Sequence, residues 1–159
     1  MNLARAMQTL ETKIPAPVIA IAAGGGMKLY AQTARVAIDA SPLLAEVGIR
    51  LAQLSSVIAI LGFVGLRLAR TTFNPLDPAK ASALVTGGIY RFSRNPIYLS
   101  LLLLLVAYAV RLGAWVEWLG PAFFTAYVTR FQIIPEERIL EAKFGDTFLA
   151  YKRRTRRWI

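Results

Sequence analysis

The sequence predicts an all-α integral membrane protein: a bundle of about four transmembrane helices with short cytoplasmic helices at its C-terminal end. Hydrophobic residues make up 56% of the 159 residues, more than a small soluble domain carries. They occur in long blocks rather than in the narrow stripes of amphipathic helices, as in helices that cross a bilayer. The basic residues that give the chain a net charge of +10 flank these blocks, as they do at cytoplasmic membrane surfaces.

The composition also excludes several kinds of site. The chain has no cysteine and no histidine, which excludes disulfides, Cys/His metal sites, a catalytic cysteine and a Ser-His-Asp triad. The basic residues lie where a membrane protein needs them, so we expect no nucleic-acid partner. Membrane lipids are the partners that this charge pattern indicates.

The first half of the chain predicts two helices. A hydrophobic block over residues 14–30 is interpreted as a retained first span rather than a cleaved signal peptide. Ser41 and Pro42 then mark the start of a second helix, because serine caps helix N-termini and proline suits the first helical position. This helix should run to Arg70. Residues 1–69 are therefore expected to form an N-terminal pair of transmembrane helices.

The next stretch predicts a loop and a helical hairpin. Residues 73–78 contain two X-Pro steps, which disfavour a helix. Pro96 suits the first turn of a third helix over residues 97–110, and a short connection leads to a fourth helix over residues 121–134. Pro135 is expected to end or kink that fourth helix, because it cannot donate a backbone hydrogen bond.

The C-terminal part predicts short helices and a basic tail. The helical pattern resumes after Pro135, and Gly145 is a natural stop because glycine readily takes the left-handed conformation of a helix end. A final short helix should carry Phe148 and Tyr151 on one face. The tail beyond it is rich in arginine and is expected to rest on anionic lipid headgroups.

The distribution of basic residues predicts the topology. The connection after the second helix and the C-terminal tail carry most of them, whereas the segments at the opposite ends of the helices carry one each, Arg35 and Arg111. By the positive-inside rule the protein is multi-pass with both termini in the cytoplasm, in the inner membrane if the source is bacterial. The polar run at residues 87–98 and the carboxylates of Glu136 and Glu137 then share the cytoplasmic face.

These two polar stretches could together form one ligand site. Unpaired carboxylates are costly beside the membrane core, so Glu136 and Glu137 need partners, and Arg91, Arg94 and Arg138 are the candidates. Two interpretations remain open. The charges could form an ion-pair latch that closes the bundle, or one carboxylate could hold a ligand ammonium while an arginine or backbone N–H holds a ligand carboxylate.

The same stretches resemble the motifs of a known family. Residues 84–98 are similar to the GxYxxxRHPxY signature of the isoprenylcysteine carboxyl methyltransferase and phospholipid methyltransferase superfamily, and residues 136–151 to its EExxLxxxFGxxYxxY element. The resemblance covers about residues 70–159, the C-terminal methyltransferase region. It implies an integral membrane enzyme that uses S-adenosyl-L-methionine without a Rossmann domain, binds this cofactor on the cytoplasmic side and takes a lipophilic substrate from the bilayer.

The resemblance also implies site residues, position by position. The cofactor-binding set is Leu84, Val85, Tyr90, Asn95, Pro96, Ile97, Tyr98 and Glu136. The catalytic set is Arg94, Glu137 and Arg130, and the substrate-binding set is Arg130 and Gln132, with no metal.

Two positions depart from the family pattern. Asn95 stands where the family has a histidine, so it can form hydrogen bonds but cannot relay protons. Gln132 stands where the prenylcysteine enzymes place an arginine for the substrate carboxylate, which weakens the expectation of a prenylcysteine substrate.

Three functions remain open at this point. The resemblance favours a methyltransferase that acts on an isoprenylcysteine-like carboxylate or a lipid headgroup. A non-enzymatic multi-span protein, such as a transporter subunit, would need ionisable residues deep in the spans, where this chain has only the uncharged residues Gln53, Ser55, Ser56 and Ser100. An NADPH-dependent membrane reductase of similar architecture would need more spans than the chain offers.

Overall fold

The computed structural model describes residue 11 and residues 13–36, 38–39, 41–69 and 83–159. Its α-helices are α1 (Ala16–Thr33), α2 (Pro42–Leu68), α3 (Pro96–Leu112), α4 (Leu119–Val128) and α5 (Ile134–Arg154). Short 3₁₀ turns cover Gly88–Arg91 and Trp115–Trp118, and a π-helical turn, Thr129–Ile133, joins α4 to α5. The described ranges contain no β-strand. The predicted all-α class is confirmed, and the loop predicted at residues 73–78 lies outside the described residues.

Local sequence accounts for the ends of the central helices. α2 begins at Pro42, and the side chain of Ser41 accepts a hydrogen bond from the backbone N–H of Leu44, as the sequence predicts. α3 begins at Pro96 and ends before Gly113, whose φ of +72° places it in the left-handed region that stops a helix. Both ends are therefore determined by residues within one turn of the boundary.

The chain does not end its helix at Pro135. The N–H of Ile134 bonds to the carbonyl of Thr129, five residues back, and the backbone stays helical into α5. This widened turn changes the hydrogen-bond register just before the proline, which has no N–H of its own to place. The non-helical residue inside α5 is Gly145, with φ 51° and ψ −129°, where the sequence predicts a stop.

α3 lies at the centre of the bundle and packs against α1, α2 and α4. α2 runs antiparallel to it. Just before α3 begins, the hydroxyl of Tyr90 donates to the carbonyl of Gly62 at 3.3 Å. In the second turn of α3, the carbonyl of Ser100 accepts a hydrogen bond of 2.7 Å from Ser55 Oγ, which lies two turns before Gly62 on α2. We call the end of the bundle where α1 and α3 begin and α2 ends the site end, because the predicted site residues lie there. The opposite end is called the far end.

An ion pair fastens the far end. Both carboxylate oxygens of Asp39 accept hydrogen bonds from the Arg111 guanidinium, at 2.8 and 2.5 Å, and the Asp39 N–H donates to the Arg111 carbonyl at 2.9 Å. Asp39 lies between α1 and α2, whereas Arg111 is in the last turn of α3. The contact therefore fixes the α1–α2 connection to the end of the central helix.

α2 turns small residues inward and large apolar residues outward. Its buried residues are mostly small, namely Gly48, Ser55, Ile58 and Gly62. Large apolar side chains point outward instead, among them Val57, Ile60 and Phe63, each at least half exposed. Small inward-facing residues allow close helix packing where lipid surrounds the bundle. Of the described helices, α2 is the one that is long and apolar enough to cross a membrane by length and composition, and α3 is a shorter apolar helix.

The close contact of α2 with α3 gives a first prediction. A Cβ added to Gly48 would lie 2.9 Å from the backbone carbonyl oxygen of Ala107 and closer still to the side chain of Arg111. We expect Gly48→Ala to lower the free energy of unfolding by about 1–3 kcal/mol, because backbone must move to admit the methyl group. Gly25→Ala in α1 is the matched control, since nothing lies within 4 Å of its added Cβ. Equal thermal unfolding of the two variants in detergent would contradict this packing.

Candidate active site

The family-like loop at residues 84–95 is held at the site end by two tyrosines. Tyr90 reaches back to α2 through its hydroxyl. The hydroxyl of Tyr151 in α5 donates to the carbonyl of Tyr90 at 2.6 Å. Both rings are buried with Phe148, and Leu84 and Val85 pack against this cluster. The loop is thus fixed between α2 and α5 immediately before α3 begins.

Glu137 forms the first polar cluster of the site. Its Oε1 accepts from Arg94 Nη2 at 2.6 Å, and Arg157 donates to both of its oxygens, at 3.1 and 2.7 Å. The side chains of Arg94 and Glu137 are only about a tenth exposed. Burial raises the pKa of Glu137, but the hydrogen bonds from Arg157 and Arg94 outweigh this and hold its pKa below the ordinary value. Glu137 is therefore an ionised carboxylate between two cations.

Glu136 forms the second cluster, with different partners. The Tyr98 hydroxyl is hydrogen-bonded to Glu136 Oε1 and lies 3.1 Å from Gln132 Oε1. The amide of Gln132 donates in turn to the backbone carbonyl of Ile14, just before α1. Burial raises the pKa of Glu136 to about 8, although the Tyr98 hydrogen bond opposes the shift. Two neighbouring carboxyl groups therefore differ in charge near neutral pH, an arrangement typical of functional sites.

The C-terminal tail, residues 155–159, completes the first cluster. Backbone carbonyls of Thr155 and Arg156 accept hydrogen bonds from the side chain and the N–H of Arg94. The side-chain amide of Asn95 donates to the carbonyl of Arg157 at 2.9 Å. Trp158 donates its indole N–H to the side chain of Thr129 at 3.2 Å. The tail thus contacts the site loop directly, whereas the sequence predicts only contact with lipid headgroups.

Arg130 and Gln132, the residues that the resemblance assigns to substrate, lie on the π-helical turn. Gln132 is buried within the Glu136 cluster, as described above. Arg130 instead forms an ion pair with Glu11 at 2.8 Å, and Arg138 reaches the same Glu11 oxygen at 3.2 Å. The site therefore has a third polar cluster, which contains Glu11.

The structure brings most of the sequence-predicted residues to one end of the bundle. Arg94 and Asn95 join the Glu137 cluster, and Tyr98 and Gln132 join Glu136. Pro96 and Ile97 are buried in the first turn of α3. The contributions of Arg157 and Glu11 were not predicted, because neither lies in a motif and no fixed spacing connects them to their partners.

The pKa of Glu136 predicts how stability depends on pH. A carboxyl group whose pKa is higher in the folded than in the unfolded protein binds more protons when folded. Stability therefore falls as the pH rises from about 4.5 to about 8 and then levels off. Glu137 has a lowered pKa and titrates below this window. We expect Glu136→Gln to remove most of this fall, measured as the thermal unfolding temperature in detergent between about pH 5 and pH 9.

Glu141→Gln is the control for this measurement, because Glu141 lies on the same helix and pairs at the surface with Lys152. It should leave the pH dependence of unfolding as in the wild type. An unchanged slope in Glu136→Gln would show that Glu136 is not the group responsible.

Comparison with known proteins identifies the family of the chain. A sequence profile described as phospholipid methyltransferase matches residues 44–147, more than half of the chain. An uncharacterised protein of Haemophilus influenzae is 48% identical over 63 residues, which is 40% of this chain and the whole of that protein. No solved structure matches the chain. The chain belongs to the phospholipid methyltransferase family, membrane-associated proteins within the superfamily whose motifs residues 84–98 and 136–151 resemble.

Proposed function

We propose that the protein is an integral membrane methyltransferase that uses S-adenosyl-L-methionine and acts on a lipophilic substrate at the cytoplasmic membrane face. The observation that carries the proposal is the pairing of the two motifs at the site end. Tyr98 of the first motif bonds to Glu136 of the second, and Arg94 of the first to Glu137 of the second. The family supports methyl transfer as the reaction.

The residues present fit the amino-acid end of the proposed cofactor. Its ammonium group needs a carboxyl group that no cation already pairs with, and Glu136 is such a group among the described residues, since its hydrogen bond is with a neutral phenol. Its carboxylate needs an N–H donor. Arg94 Nε is buried and has no hydrogen-bond partner among the described residues. Tyr90, Pro96 and Ile97, which the resemblance also assigns to the cofactor, are buried and lie close to Arg94 and Tyr98 in the sequence.

The bound cofactor would supply a methyl group on a sulfonium, which passes to the acceptor by in-line displacement. The protein's part is then to align the reactants and exclude water. Arg94 and Glu137 pair with each other, so apart from the proposed contact of Arg94 Nε with the cofactor carboxylate we assign them a positioning role. Asn95 is held by the Arg157 carbonyl and cannot titrate. Removal of a proton from an amine acceptor is left to water or to Glu136, because Glu137 is engaged by two guanidinium groups.

We also propose that helices besides α2 cross the membrane. α1, α3 and the continuous segment of α4 and the π turn contain 18, 17 and 15 residues. At about 1.5 Å per residue they are roughly 22–27 Å long, close to the thickness of a bilayer core. Together with the basic residues at the site end, this supports four spans with both termini cytoplasmic. Residues 1–69 would then form the supporting helical pair and residues 70–159 the methyltransferase region.

Cofactor binding gives a direct test. Titration of the detergent-purified protein with S-adenosylhomocysteine should show binding that weakens about tenfold or more in Glu136→Gln and in Tyr98→Phe, because each loses a hydrogen-bonded partner of the site. Because burial raises the pKa of Glu136 to about 8, this group is mostly protonated at pH 7. Binding of an ammonium group should therefore release a proton.

The proton release is measured by calorimetry in two buffers of different ionisation enthalpy, and it should vanish in Glu136→Gln. Glu141→Gln is again the control and should bind as the wild type does. Failure of the wild type to bind, or unchanged binding in both site variants, would overturn the cofactor assignment. Binding of NADPH instead would indicate the membrane reductase alternative.

The reaction is tested in membranes that contain the protein. With a methyl-labelled donor, label should enter the lipid fraction with the wild type and fall to background with Tyr98→Phe and Glu136→Gln. Label in the protein fraction alone would indicate a protein-linked acceptor such as an isoprenylcysteine. Absence of label from both fractions would favour the non-enzymatic alternative.

A further inference from the structure

Two arginines converge on one carboxylate next to the proposed active site. Arg130 Nη1 donates to Glu11 Oε1 at 2.8 Å, and the Arg138 guanidinium donates to the two oxygens of Glu11 at 3.2 and 3.5 Å. The arginines come from the π turn and from α5, whereas Glu11 precedes α1. The Glu11 carboxylate thus pairs with two guanidinium groups from a distant part of the sequence.

This cluster has the chemistry of an anion-binding site. Two guanidinium groups around one carboxylate leave a net positive charge, and paired arginines match the oxygen geometry of phosphate and carboxylate groups. The side chains of Arg130 and Arg138 are 36% and 58% exposed, so both can be reached from outside, whereas that of Glu11 is 15% exposed. The Arg130 hydrogen bond, which outweighs the effect of burial, lowers the pKa of Glu11 and keeps it ionised.

The cluster is joined to the proposed reaction site through Gln132. Gln132 lies two residues after Arg130 on the π turn, contacts the Tyr98–Glu136 pair and donates to the carbonyl of Ile14. Ile14 is three residues after Glu11. The segment that carries Glu11 is therefore tied, through the carbonyl of Ile14, to the same network that would hold the cofactor.

We propose that Arg130 and Arg138 bind the anionic group of the methyl acceptor, a phosphate or a carboxylate, and that Glu11 is a built-in competitor that occupies this site until the acceptor arrives. The identity of the ligand as the methyl acceptor rests on the proposed function. The resemblance to the family assigns neither Arg138 nor Glu11.

The competition predicts opposite effects for the members of the cluster. Loss of Glu11 frees both arginines, whereas loss of either arginine removes part of the receptor. An attached competitor acts at a high effective concentration, so its removal should tighten binding of an external anion by about fivefold or more. A purely structural salt bridge would instead lose stability in all three variants without any gain in anion affinity.

The test is calorimetric titration of the purified protein in neutral detergent with dodecyl phosphate, dodecanoate and inorganic phosphate. We expect Glu11→Gln to bind a dodecyl anion about fivefold or more tightly than the wild type. Arg130→Gln, Arg138→Gln and the double variant Glu11→Gln/Arg130→Gln should lose this binding. Preference for dodecyl phosphate over dodecanoate would identify a phosphate-containing headgroup, and the reverse a carboxylate acceptor.

Glu46→Gln is the matched control, because it removes one carboxylate from a surface ion pair with Arg50 on α2. It should leave dodecyl-anion binding unchanged, which separates the effect of Glu11 from a general change in charge. Unchanged or weaker binding in a Glu11→Gln variant that unfolds at the wild-type temperature would overturn the proposal. If Glu11→Gln unfolds early, Glu11→Asp replaces it and should still bind more tightly than the wild type.

If inorganic phosphate bound as tightly as dodecyl phosphate, the ligand of this site would not be the lipophilic methyl acceptor, since burial of an alkyl chain should raise the affinity. None of these titrations requires methyl transfer. A failure of the proposed function would therefore appear in the cofactor titration, while a failure of this inference would appear in the anion titrations alone.

Discussion

The contact of Glu137 with Arg94 and Arg157 connects three parts of the chain through charged side chains. Arg94 precedes α3, Glu137 lies in the first turn of α5, and Arg157 belongs to the tail. Arg94 and Glu137 are only about a tenth exposed, and a buried charge without its partner costs several kcal/mol. Together with the hydrogen bonds from Arg94 to the tail carbonyls, this contact orders the loop, the helix and the tail as one unit. The position of Tyr98 beside Glu136 depends on the same contact, because Tyr98 is one turn beyond Arg94 in the chain.

Glu136 and Glu137 show how one helix can give adjacent carboxylates different properties. Neighbouring residues on a helix point about 100° apart, so Glu137 faces two arginines and the tail while Glu136 faces Tyr98. The first is held ionised by cations and the second is held near its titration point by burial. In our proposal the ionised Glu137 orders the protein, and Glu136 binds the ligand. The ion-pair interpretation therefore applies to Glu137, and the ligand-binding interpretation applies to Glu136.

The sequence predicts those features of the structure that depend on residues close together in the chain, and it misses those that depend on contacts between distant segments. Ser41, Pro42 and Gly113 each act within one turn of a helix end. Ser41 and Pro42 predict the start of α2 from sequence, and Gly113 marks the end of α3 in the same local way, although that end was not predicted from it. The meeting of the two motifs follows from charge distribution and from their resemblance to a family. The partners of Arg157 and Glu11 depend on how distant segments pack, and no local pattern encodes such a contact. Pro135 was expected to interrupt its helix, yet a change of hydrogen-bond register upstream accommodates it.

The π-helical turn between α4 and α5 makes the number of residues in this helix part of the site. A π turn behaves as an α-helix with one inserted residue. Without that insertion the chain would remain helical, but everything after it would rotate by about 100° relative to α4, and Glu136 would no longer face Tyr98. Deletion of Phe131 alone would thus keep every polar side chain of the site and still separate Glu136 from Tyr98. In this segment the number of residues, and not only their identity, determines whether the site forms.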